Sequence, residues 1–117
     1  LLHEDVLPVC SPHLLAAATQ RGRGRAHAGV SPHMLAAMPL LQQSTRPYGW
    51  RQWFEAQGTS ATRSLEGPRY ELFSMLAVAA AHGLGVALMP PLLIEAELAR
   101  GELVVAFLPW LQAQAAP

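Results

Sequence analysis

Lysine is absent from the 117 residues, and the eight basic side chains, all arginine, balance eight carboxylates to a formal net charge of zero. A chain so nearly neutral lacks the basic stripe by which nucleic-acid-binding surfaces announce themselves, so these residues are not expected to hold DNA directly. Cysteine occurs once, at Cys10, which excludes an internal disulfide and fits a reducing, cytoplasmic compartment. No apolar run is long enough to span a bilayer, and no membrane association is expected. No charged segment followed by an apolar one opens the chain as an export leader would. Leu1 stands where an initiator methionine would, so we expect a fragment or an excised domain. The histidines, His3, His13, His27, His33 and His82, form neither a helical i, i+4 pair nor a Cys–His spacing, and no metal is expected. Gly83-Leu84-Gly85 closes a helix and opens a strand, the reverse of the order a dinucleotide fingerprint needs, and no cofactor is expected.

What is present suffices for one domain, since 51% hydrophobic residues can bury a small core. Leu72–Pro91, LFSMLAVAAAHGLGVALMPP, organises it. Leu72, Phe73, Met75, Leu76, Val78 and Ala79 are apolar nearly all round, which predicts a buried helix over Phe73–His82. Glu71 and Ser74 stand at its start, where a carboxylate or hydroxyl complements free backbone N–H groups. Gly83 suits the left-handed residue that ends a helix. Val86–Met89 reads as a strand, stopped by Pro90-Pro91.

Upstream, Leu2–Val9 reads as a strand, with Pro8 suiting an edge position. Ser11-Pro12 and Ser31-Pro32 each pair a capping hydroxyl with a proline fit for the first helical turn, opening helices over His13–Ala18 and His33–Ala37. Thr19–Gly29 between them is Gly- and Arg-rich and reads as a loop; its Arg21, Arg23 and Arg25 read as solvated. Leu40–Gln43 is a short strand, and Tyr48–Ala56 a helix whose Trp50, Trp53 and Phe54 share a face, as core residues do. A brief strand is expected near Arg63–Leu65. Leu92–Arg100 is a second amphipathic helix, and Leu103–Phe107 a last strand. Strands alternating with helices predict an α/β fold with a mixed, mostly parallel sheet covered on both faces. Ligands of such sheets bind beyond the carboxyl ends of the strands. That reasoning places Cys10–Pro12, Ser44–Pro47 and Arg69–Ser74 on one rim. Ser44, Thr45 and Arg46 are polar and follow an apolar strand, and hydroxyls with a guanidinium suit a small carboxylate.

GPRYELFSMLAVAAAHGLGVALMPPLLIEAELARGELV (Gly67–Val104) resembles the effector-binding domain of LysR-type transcriptional regulators, in the branch of the glycine-cleavage activator. EDVLPVCSP (Glu4–Pro12) and PLLQQSTRPYGWRQWFEAQG (Pro39–Gly58) resemble the same branch in the same order. The resemblance implies a periplasmic-binding-protein-like (type 2), Rossmann-like subdomain over residues 1–107. This would be the second of two, followed by a divergent tail at 108–117. The first subdomain and the winged helix-turn-helix domain are then absent. It further implies an effector in the cleft between subdomains, contact with it at Cys10, and a homodimer in the full-length regulator. The candidate effector-binding residues are Cys10, Ser11, Ser44, Thr45, Arg46, Tyr70, Phe73 and Ser74. The expected ligand is a small anionic or zwitterionic metabolite, and DNA would be met only through the absent winged helix-turn-helix domain. The chain reads as a non-enzymatic sensor. One alternative is a solute-binding module of a transport system; another is a small hydrolase using Cys10 as nucleophile and His13 as base.

Overall fold

A computed structural model describes residues 6–22 and 30–107, with side chains at 6–19 and 30–107. The expectations for residues 2–5, 23–29 and 108–117 lie outside the described residues.

The elements in order are β1 (Leu7–Cys10), α1 (Pro12–Gly22), α2 (Pro32–Ala36), β2 (Gln42–Gln43), α3 (Gly49–Ala56), β3 (Arg69–Tyr70), α4 (Phe73–Ala81), β4 (Ala87–Met89), a 3-10 turn (Pro91–Ile94), α5 (Glu95–Ala99) and β5 (Val104–Val105). β4, β1 and β5 pair antiparallel around β1, and β2 pairs with β3 in parallel. A parallel bridge between Leu40 and Val86 joins the two sets, with Leu41 N–H to Val86 O at 2.8 Å and Val86 N–H to Pro39 O at 2.9 Å. The order is therefore β3-β2-β4-β1-β5. β2, β3, β4 and β5 run one way and β1 alone runs against them, so the sheet is mixed and mostly parallel in direction.

Side chains alternate between the two faces of a strand, and the core divides accordingly. Cys10, Leu40 and Val86 pack with Leu15 and Ala18 of α1, Leu35 of α2, and Trp50 and Phe54 of α3. Their neighbours Val9, Leu41 and Ala87 pack on the other face with Leu76, Ala77 and Ala80 of α4, Ile94 and Leu103. The result is a sheet with helices on both faces.

The capping signals behave as their chemistry requires. Ser11 Oγ accepts from Leu14 N–H and Ser31 Oγ from Met34 N–H, each at 3.1 Å. α1 runs on to Gly22, so the expected loop at Thr19–Gly29 is corrected over its first residues. α4 ends at a left-handed Gly83 (φ 83°), with Gly83 N–H bound to Ala80 O and Leu84 N–H to Ala79 O, the paired closure that glycine permits.

Other expectations are corrected. Pro8 lies in β1, an interior strand between β4 and β5, not at an edge. The ladder tolerates it because Ala106 still donates to Pro8 O at 2.8 Å, while Ala106 O, facing the missing N–H, accepts from Val30 N–H at 2.8 Å. Arg63–Leu65 forms turns, and the strand appears instead at Arg69–Tyr70. The Ser64 carbonyl is bonded by the Gln42 side chain at 2.9 Å rather than by a sheet neighbour. The helix expected over Leu92–Arg100 begins as a 3-10 turn and becomes α-helical only at Glu95. α4 is not buried all round: Leu76, Ala77, Ala79 and Ala80 are covered, but Leu72, Met75 and Val78 are 61%, 52% and 50% exposed. Ser74 is exposed and does not cap it; the cap position is Leu72, with no side-chain hydrogen bond.

Candidate functional site

The carboxyl ends of β2 and β3 lie side by side, and the chain leaves β2 into Ser44-Thr45-Arg46 and β3 into Glu71. Ser44 N–H bonds Tyr70 O at 2.9 Å, carrying the ladder one step past the strands. Arg46 N–H then turns back onto Gln43 O at 2.9 Å, and Gly49 N–H onto Arg46 O at 3.0 Å, which fixes a compact turn before α3. Ser44, Thr45 and Arg46 are exposed on this rim, beside the segment that enters α4.

The side chain of Gln43 joins the two segments. It is 8% exposed, on the α4 side of the sheet. Its Nε2 donates to Glu71 O at 2.8 Å. Its Oε1 accepts from Thr45 N–H at 3.1 Å and also from the Thr45 hydroxyl. Gln42, on the opposite face, spends its amide on Ser64 O and, at 3.4 Å, Leu40 O. Sequence reasoning missed both glutamines as organisers. The available signal was two amides closing an apolar strand, since a buried amide must find partners.

A cavity of about 1150 Å³ adjoins the rim. Gln43, Arg46, Tyr48, Trp50 and Leu88 line it, with Val6–Pro8 at the start of β1. Trp50 is a core residue there, as its spacing predicts: it is 2% exposed, its Nε1–H donates to Leu41 O at 2.9 Å, and it stacks on Phe54 at 5.4 Å.

The expected site residues divide into two groups. Ser44, Thr45, Arg46, Tyr70, Phe73 and Ser74 gather at one end of the sheet. Tyr70 and Phe73 are half-buried there against the α4-side core, and Arg46 is the one of the six that also lines the cavity. Cys10 and Ser11 do not join them. The single-rim expectation is corrected because β1 runs antiparallel to β4, so its carboxyl end lies at the far end of the sheet. There Ser11 faces His13, His82 and Gly83 around a smaller cavity of about 300 Å³. Ser11 is 4% exposed and committed to capping α1.

Cys10 is fully buried in the core, and that burial pushes its thiol up to about 12. A thiol so placed is a packing residue and a poor nucleophile at neutral pH. Its pKa is raised in the folded state, so from about pH 9 upward the unfolded chain loses a proton that the folded chain retains. Stability contributed by the neutral thiol is complete below the unfolded value and lost progressively as pH rises toward 12. Urea midpoints should therefore fall more steeply between pH 8.5 and pH 10 for the native sequence than for Cys10→Ala. Equal slopes would contradict the buried assignment. Among the described residues no three His, Cys, Asp or Glu side chains gather as metal ligands would, and no helix is long and apolar enough to cross a membrane.

Comparison with known proteins places the geometry in a family. The regulator PerR of Escherichia coli K12 is 36% identical over 101 residues, 86% of this chain and 30% of its own length. The glycine cleavage system transcriptional activator of the same organism, from the branch the sequence resembles, is 32% identical over 107 residues, 92% of this chain and 32% of its own. The solved effector domain of the regulator AmpR of Pseudomonas aeruginosa superposes with a TM-score of 0.68 at 28% identity, over 89% of this chain and 45% of that one. The chain thus spans about a third of the length of the curated relatives it matches. These relatives are named as transcriptional regulators, and none of them as a transport protein. The family model for the LysR substrate binding domain matches residues 1–116, and the chain belongs to that family.

Proposed function

We propose that this chain is the second subdomain of an effector-binding module and senses a small anionic or zwitterionic metabolite for a LysR-type transcriptional regulator. Residues 1–107 form the subdomain and 108–117 a divergent tail. The first subdomain closes the cleft from the other side, and a winged helix-turn-helix domain outside this chain meets the DNA. The regulator acts in the cytoplasm and performs no catalysis. The observation that carries this reading is the Gln43 amide, which ties the polar turn at Ser44–Arg46 to the entry of α4 at Glu71. A ligand at the rim therefore touches a segment rigidly joined to a helix with an uncovered face. Biasing two arrangements of such elements is how a sensor works.

The exposed stripe of Leu72, Met75 and Val78 is the homodimer contact in this reading. Val78→Glu places a charge on that stripe and should shift the complete regulator toward monomer in sedimentation velocity, by tenfold or more in dissociation constant. Unchanged association would move the dimer contact elsewhere.

The rim is tested in the complete regulator with an effector identified by thermal-shift screening. Thr45→Val keeps the side-chain shape and removes the hydroxyl. A hydrogen bond to a charged group contributes roughly 1.5–3 kcal/mol, so effector affinity should fall by roughly ten- to a hundredfold. Arg46→Ala should act more strongly on an effector that carries a carboxylate. Operator affinity without effector should hold in both. Effector affinity unchanged in both variants defeats the reading.

A further inference from the structure

The hydrogen-bond inventory of the rim says which ligand atoms each hydroxyl can meet, and it refines the ligand class of the site just proposed. Glu71 O is a main-chain carbonyl and can only accept. The Gln43 amide must therefore turn its Nε2 toward it, at 2.8 Å, and its Oε1 toward Thr45. Thr45 N–H, which can only donate, meets that Oε1 at 3.1 Å and fixes the same orientation independently. The Thr45 hydroxyl also contacts Oε1, and an amide oxygen has no proton to give. The single hydroxyl proton of Thr45 is therefore spent on Gln43. What Thr45 Oγ1 offers outward is lone pairs only. Ser44 is the opposite case. Among the described residues its hydroxyl has no protein partner, so it can rotate to donate or to accept. The exposed Ser74 hydroxyl, across the rim on α4, is free in the same way.

A carboxylate is an acceptor and meets repulsion at Thr45 Oγ1, whereas an ammonium group is a donor and is matched there. We infer that the rim is built for a zwitterion of the α-amino acid class rather than for a simple carboxylate. The ammonium meets Thr45 Oγ1, and the carboxylate meets the serine hydroxyls on the side of the rim that Arg46 lines. In this arrangement Gln43 is a positioning residue: it touches no ligand and sets the polarity of Thr45. The inference rests on the rim being the effector site, and it narrows the expected anionic or zwitterionic ligand to the zwitterion.

The test uses the complete regulator, with its serines and threonines labelled with nitrogen-15, and matched pairs of probes. Glycine, L-alanine, L-leucine and L-phenylalanine are titrated against acetate, propionate, 4-methylpentanoate and 3-phenylpropionate. Each pair differs only in the amino group. The expected result is that at least one amino acid shifts the amides of Ser44, Thr45 and Ser74, and that its des-amino partner binds at least tenfold more weakly. Thr45→Val should erase most of that difference. Gln43→Leu frees the Thr45 hydroxyl to donate and should also narrow it, by strengthening the des-amino acid. Should Gln43→Leu fail to fold, the comparison on the native sequence still decides. Des-amino acids binding at the same amides as well as their amino acids, or better, overturn the inference and leave the rim reading standing. No shift at these amides with any probe removes the inference together with the rim reading.

Discussion

Gly67→Ala is expected to destabilise the domain more than any other single added methyl group. A Cβ at Gly67 would lie 1.5 Å from Leu40 O and 2.8 Å from Leu40 C, both backbone atoms that no rotamer change can move. Relief requires the Gly67–Pro68 segment and β2 to separate. That breaks the 2.7 Å bond from Gln42 N–H to Pro68 O and draws Leu40 away from its bridge to Val86. Overpacking of side chains costs about 1–3 kcal/mol, and a clash with backbone should exceed that, at roughly 3 kcal/mol or more. Gly58→Ala is the control. Its φ of 71° imposes left-handed strain, but nothing lies within 4 Å of the new Cβ. Strain alone costs about 1–2 kcal/mol. Urea unfolding followed by circular dichroism should rank Gly67→Ala well below Gly58→Ala, and the reverse order would show that the approach to Leu40 is wrong.

Trp50→Ala is expected to be comparably severe. Trp50 fills the space between the sheet and α3, and stacks with Phe54 at 5.4 Å and edge-on with Trp53 at 5.6 Å. Removing so large a buried aromatic costs about 3–5 kcal/mol. It also strips Leu41 O of the indole donor at 2.9 Å. The total stability of a small domain is about 5–15 kcal/mol, so the variant should retain little of its cooperative transition. Trp50→Phe separates the two effects. It restores most of the volume and leaves the carbonyl unbonded, at a cost of about 1–3 kcal/mol. Trp50→Phe as damaging as Trp50→Ala would assign the stability to the hydrogen bond rather than to packing.

Much of this fold was legible because its signals are local. Ser11-Pro12 and Ser31-Pro32 opened helices since a hydroxyl and a proline act within one turn. Gly83 ended α4 since only its own φ was at issue. The shared face of Trp50 and Phe54 appeared in their spacing and is buried as expected. What failed depends on distant partners. Nothing in LPVC says that β1 runs against its neighbours, and that reversal sends Cys10 and Ser11 to the far end of the sheet. Pro8 suited an edge by its own chemistry, and Val30 N–H, remote in sequence, made an interior position tolerable. The apolar composition of α4 could not distinguish burial by its own sheet from an uncovered outer face. Gln42 and Gln43 were overlooked because an amide in a sequence reads as surface, and their partners, Ser64 O and Glu71 O, lie 22 and 28 residues away.

The central claim is that binding takes place at the end of the sheet where β2 and β3 emerge. The most direct measurement is a map of amide shifts on the complete regulator labelled with nitrogen-15, titrated with a mixture of amino acids and small carboxylates. The account predicts shifts concentrated at Ser44–Arg46 and Glu71–Ser74, on either side of the Gln43 amide. Shifts concentrated instead at Ser11–Leu14 and Ala81–Gly83, the opposite end of the same sheet, would contradict it.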